Sequence, residues 1–131
     1  MRFMMFYKPS IPDAEAGIMP DPDYLARMNA FIADSFRSGH LLESEGLKPS
    51  SQGTRIELVA KRYSVTDGPF PEAKEVVGGY ALMQFDSKAE AIEAAKRFLE
   101  VAGDGECEIR PLYGASDFDG PPPGGQGAQT R

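Results

Sequence analysis

Residues 64–80, SVTDGPFPEAKEVVGGY, gather a carboxylate at Asp67, a ring at Phe70, an ammonium at Lys74 and a phenol at Tyr80 around one proline-rich loop. A carboxylate beside an ammonium and a phenol can move a proton and steady an anion, and a neighbouring ring supplies a flat apolar wall. Asp67 is therefore the candidate general base, with Phe70, Lys74 and Tyr80 as candidate ligand-binding residues at the end of a sheet. The same loop also has a purely architectural reading. Asp67 can accept the Phe70 amide in an Asx-turn, and Pro69 and Pro71 cannot donate ladder bonds, so the chain leaves its strand there. Residues 71–75 then suit a short helical turn, and Gly78 and Gly79 supply flexible or positive φ angles. On this reading Phe70 and Tyr80 pack in the core, and Lys74 pairs with Glu72 or Glu75 at the surface.

His40 is the sole histidine and the fourth candidate ligand-binding residue. It follows a helix-stopping Gly39, where a cation would ease the helix dipole, and a proton-transfer role would need Asp67 or Glu45 within reach. Glu43 and Glu45 share one strand face but have no histidine to complete a metal site. With one cysteine, Cys107, and one histidine, an intrachain disulfide and the usual zinc sites are excluded, and no metal is expected. Cys107 reads as a small core residue. Neither GxGxxG nor P-loop spacing occurs, so no nucleotide cofactor is expected.

The surrounding elements must hold these groups in place. Residues 2–7, RFMMFY, are apolar on both alternating faces and read as a strand buried on two sides. Asp21 and Pro22 open a helix of about four turns whose stripe is Leu25, Met28, Phe31, Ile32 and Phe36. Residues 40–45 can form a short strand; residues 54–59 alternate as a half-exposed strand, and residues 62–66 are a further extended piece. Residues 79–85 are again apolar on both faces. Ser87 and Glu90 form a capping box for a second helix with an inward stripe of Ile92, Ala95, Phe98 and Leu99. Residues 106–112 form a last strand, held near an edge by Pro111.

The order β-α-β-β-loop-β-α-β predicts an α+β ferredoxin-like sandwich, an antiparallel sheet with two helices on one face. Since residues 2–7 and 79–85 are also apolar on the face the helices cannot reach, a second copy is expected there: a homodimer with sheets face to face, the dimeric α/β barrel. Residues 1–115 make the domain, and the Gly/Pro-rich residues 116–131 a C-terminal tail. A net charge of −6 argues against nucleic acid as a partner. The short N-terminal apolar run is neither a signal core nor a membrane span, so a cytoplasmic protein and no membrane partner are expected.

The segments EGLKPS, VTDGPFPEAKEVVGGY, DSKAEAIEAAKRF and EIRPL, with KPSIPDAEAGIMP before them and ASDF after, resemble the YCII-related proteins of the DGPF subgroup over roughly residues 1–119. The resemblance implies a dimeric ferredoxin-like fold. It implies no established reaction: a few relatives act on ring compounds, and subgroup genes often lie beside extracytoplasmic-function sigma factors. The wider family's acid–base pair includes a histidine near the start of the first helix, and the corresponding position here is Tyr24 or Met28. Two functions follow as expectations: binding or transforming a small, aromatic molecule, or serving as a non-catalytic dimeric regulator.

Overall fold

The computed structural model describes residues 1–10, 20–70 and 76–118. Along them run β1 (Arg2–Pro9), α1 (Pro22–Arg37), β2 (Leu41–Gly46), β3 (Thr54–Val59), β4 (Arg62–Asp67), β5 (Gly79–Gln84), α2 (Lys88–Ala102) and β6 (Gly105–Pro111). Four strands form one antiparallel sheet in the order β2-β5-β1-β6. With both helices on one face, this is an α+β arrangement of the ferredoxin-like kind.

Strand alternation sends Phe3 and Met5 of β1, Leu41 of β2, and Ala81 and Met83 of β5 inward, where they join Phe85, Ala91 and Ala95 in the core. The two helices meet this layer differently. α2 comes down closely through small residues, burying Ala91, Ala95 and Ala102, while Ile92 stays 39% exposed at its flank. The inward stripe expected from sequence is thus rotated by one residue, because alanines allow a closer approach than isoleucine. α1 is capped by Asp21, whose side chain accepts the Tyr24 amide at 2.9 Å, worth about 1 kcal/mol. Yet α1 buries none of its residues, and of its apolar stripe Ile32 packs partly against the core while Leu25 and Phe36 are exposed. It stands off the sheet. Gly39, at φ 84°, then turns the chain directly into β2.

β3 and β4 depart from expectation. Instead of joining the main sheet they form a separate two-stranded hairpin, closed by Ala60 and Lys61 at positive φ. Every residue of both strands is exposed. Alternation in residues 54–59 marked one face as apolar, and that pattern is the same whether the covering surface lies inside the chain or outside it.

The opposite face of the main sheet carries Met4 and Phe6 of β1 and Leu82 of β5, with no helix over them among the described residues. Residues 119–131 of the expected tail lie outside the described residues. Residues 115–118 form a short 3-10 turn that brings the Phe118 ring 5.3 Å from that of Tyr113.

Candidate functional site

Because α1 stands off the sheet, a cleft of about 760 Å³ opens beneath it. Its walls are mainly apolar: Met28, Phe31 and Ile32 from α1, Met5, Ala81 and Met83 from the sheet, and Phe98 from α2. Polar and charged groups interrupt that lining, among them Asp21, Tyr24, Ser35, His40, Glu45 and Arg97. That volume and balance suit a small organic ligand.

Two of the polar groups are chemically prepared. The His40 ring stacks on Phe85 at 4.5 Å between centroids, with planes 13° apart, and its Nδ1 lies 3.0 Å from the Gln84 carbonyl. A carbonyl only accepts, so Nδ1 carries the proton and Nε2 of the neutral ring is left as an acceptor. The contact expected for His40 at the helix end is replaced by this bond to β5. Tyr24, in the first turn of α1, has its phenol pushed above the ordinary value, chiefly by burial and against a lowering by Arg27. Its hydroxyl has no hydrogen-bond partner among the described residues, and it stays a donor at neutral pH. Tyr7, edge-on to Phe98 at 5.1 Å, is shifted the same way, first by burial and then by Tyr24, Cys107 and Asp104.

The DGPF loop is built around other contacts. Phe70 lines a smaller cavity of about 240 Å³ with Leu47, Lys48, Ser50, Arg55, Val76 and Val77. The Arg55 guanidinium sits 3.9 Å from the centre of its ring, a close cation–π contact. The Phe70 amide donates to Ser50 Oγ at 3.5 Å, whereas Asp67 accepts from the Thr54 hydroxyl at 3.1 Å; the expected Asx-turn between Asp67 and Phe70 is replaced by these two bonds. Gly68 is required for space: a Cβ there would lie 1.8 Å from the Ser50 carbonyl oxygen. The motif therefore clamps the root of the β3–β4 hairpin. Gly78 and Gly79 also serve close approach, to Pro9 and to the Glu45 carbonyl, with no positive φ at either.

The four groups expected to share one loop site are thus distributed. Asp67 is exposed and lines neither cavity, Phe70 lines the smaller one and His40 borders the larger; Tyr80 adjoins the larger in the chain, but strand alternation turns its side chain to the helix-free face beside Phe6. Lys74 lies outside the described residues. Tyr80 donates its hydroxyl to Glu43 Oε2 at 2.5 Å, and that bond is the leading cause of a raised phenol pKa, ahead of burial and the charges of Glu43 and Glu45. Sequence reasoning missed Tyr24, Ser35 and Arg97 as a set. The available signal was the contrast between an alanine-rich α2 and a bulky α1 stripe, which implies unequal packing distances. Among the described residues no group of three or more His, Cys, Asp and Glu side chains is placed to hold a metal ion. No helix there is long and apolar enough to cross a membrane.

Sheet order, helices on one face and a ligand-sized cleft under the first helix define the class as a ferredoxin-like α+β domain. The family model of the YCII-related domain matches residues 1–114, and the chain belongs to that family. No curated protein matches the sequence. Among solved structures the chain is similar to 5-chloro-2-hydroxyhydroquinone dehydrochlorinase from Burkholderia phenoliruptrix in complex with 2,5-dihydroxybenzoquinone, at 14% identity and a TM-score of 0.50. The likeness spans 89% of this chain and 98% of that one and, at such identity, speaks for the fold. Tyr24 and Met28 both line the cleft.

Proposed function

We propose that this chain binds a small, ring-bearing molecule in the cleft beneath α1, and that its Thr-Asp-Gly-Pro-Phe loop places it in the DGPF subgroup. The observation that carries the reading is α1 itself, a capped amphipathic helix that buries none of its residues and turns Met28, Phe31 and Ile32 to an open apolar space. An aromatic ring fits between those side chains and the sheet, with Tyr24 Oη as donor and His40 Nε2 as acceptor for its substituents. If the bound molecule is transformed, His40 is the group placed to take up a proton, and Asp67 keeps the structural role at the hairpin root. The working unit is a two-fold dimer whose helix-free sheet faces turn toward each other through Met4, Phe6 and Leu82.

The test is a thermal-shift and calorimetric panel of hydroxylated quinones and phenols, starting from 2,5-dihydroxybenzoquinone, against the parent chain and Met28→Trp. Saturable stabilisation of the parent is expected, near 2.7 kcal/mol at a ligand concentration of about one hundred times Kd. Filling the cleft with the indole should abolish it while leaving the fold intact. Equal behaviour of parent and Met28→Trp would remove the cleft from the reading. A second reading, a non-catalytic interaction protein, is favoured by the exposed apolar hairpin.

A further inference from the structure

The cleft under α1 is longer than a single ring can use. Tyr24 stands in the first turn of α1 and His40 lies beyond its last residue, Arg37, so the helical rise alone sets them about 20 Å apart. The sheet gives the same separation. Tyr7, whose phenol interacts electrostatically with Tyr24, pairs with Gly79, whereas His40 stacks on Phe85, whose amide donates to the Met1 carbonyl at 2.9 Å. The extended chain from Met1 to Tyr7 spans about 20 Å.

Polar side chains are sorted to these ends, Tyr7, Asp21 and Tyr24 at one and Ser35, Ser38 and His40 at the other. Between them the walls are Met5, Met28, Phe31, Ile32, Ala81 and Phe98, bordered by an Arg97 that is itself exposed. A lone ring that meets His40 therefore leaves Tyr24 unmet and most of the cleft unfilled. Unfilled apolar space forfeits dispersion contacts on every wall. Three of the lining residues, Met5, Met28 and Met83, are methionines, whose unbranched side chains adapt to a flexible apolar occupant.

We infer that the cleft takes an elongated ring compound about 20 Å long, its ring at the His40 end and a flexible apolar arm running past Ile32, Phe31 and Met28 to the phenols of Tyr7 and Tyr24. This rests on the ring-binding reading above and adds the length and the second substituent of the ligand. The groups offered there as donor and acceptor, Tyr24 Oη and His40 Nε2, are met at its opposite ends.

The experiment is calorimetric titration of the full chain with 2,5-dihydroxybenzoquinone and its methyl, butyl, octyl and undecyl derivatives, each below its aggregation concentration. Affinity should rise roughly two- to fourfold per added methylene, the gain from burying it less the cost of ordering it, and level off when the arm reaches the far end. Val77→Trp, a half-exposed position at the Tyr24 end, should cut the advantage of the longest arm roughly tenfold or more and the affinity of the bare quinone far less, with an unchanged circular dichroism spectrum. An arm ending in a ketone should gain roughly threefold over the plain alkyl arm on the parent chain and nothing on Tyr24→Phe. If no member of the series binds, the ring-binding reading falls and this inference with it. A bare quinone that binds while affinity stays flat or falls with arm length overturns the elongated ligand alone. So does an arm-length gain that Val77→Trp leaves intact, and an equal ketone gain on Tyr24→Phe removes the far contact with Tyr24.

Discussion

Thr54 Oγ1 donates to Asp67 Oδ1 at 3.1 Å, joining the first residue of β3 to the last of β4 at the point where the hairpin leaves the domain. The neighbouring backbone bond from Gly68 to the Gly53 carbonyl, at 2.9 Å, sits just outside it. Asp67→Asn retains an acceptor oxygen, so stability should fall by about 1 kcal/mol or less in chemical denaturation, and ligand binding in the cleft should be unchanged. Lost binding at unchanged stability would restore Asp67 to the site.

Gly68→Ala should be much worse. Its Cβ would meet the Ser50 carbonyl oxygen, which is backbone and cannot swing away, so the loop must shift as a body. A loss of about 1–3 kcal/mol in urea unfolding is expected, with faster hydrogen exchange concentrated in residues 54–67.

Glu108 accepts from Lys8 at 2.9 Å and from Arg110 at 2.6 Å, and these two bonds hold its carboxyl below the usual glutamate value. A carboxylate lowered on folding stabilises above its unfolded pKa and loses that contribution as pH falls through the folded one. The urea midpoint should therefore decline with acidification below about pH 4.5, and Glu108→Gln should flatten part of that decline.

Cys107 is half-buried against Tyr7, and burial, with a smaller push from Glu106, raises its thiol to about 11. At about pH 8 its thiolate fraction should be roughly 100-fold below that of a free cysteine, and disulfide-exchange labelling of the folded chain correspondingly slow. Rapid labelling without denaturant would show that β6 is more open than described.

His40→Ala removes both the ring on Phe85 and the bond to Gln84. Binding of a hydroxylated ring should weaken about tenfold, while His40→Asn recovers part of the fold stability and little of the binding. Equal affinity across all three proteins would take the imidazole out of ligand contact.

The main sheet was legible because Phe3, Met5, Ala81 and Met83 alternate with residues that are themselves apolar, a pattern that requires cover on both sides. Ile56 and Leu58 carry the same signal of an apolar face with a different destination, and period alone holds no address. The candidate site was legible in part for a related reason. His40 borders the cleft, but Tyr80 turns its phenol to the helix-free face toward Glu43, and Asp67 and Phe70 were carried off by the root of a hairpin. The cleft owes its existence to the distance between α1 and the sheet, which depends on side-chain volumes from two helices at once and is invisible to either helix's own periodicity.

One irregularity in the sheet bears on how copies of this chain can meet. The ladder between β2 and β5 shifts register between Leu41 and Glu43, leaving Leu42 extruded on an outer strand, and the opposite outer strand ends in Pro111. A bulge and a proline both spoil the regular row of donors and acceptors on which an incoming strand would template. Continuous strand-on-strand growth, the route to fibres, is thereby opposed at both margins of the main sheet.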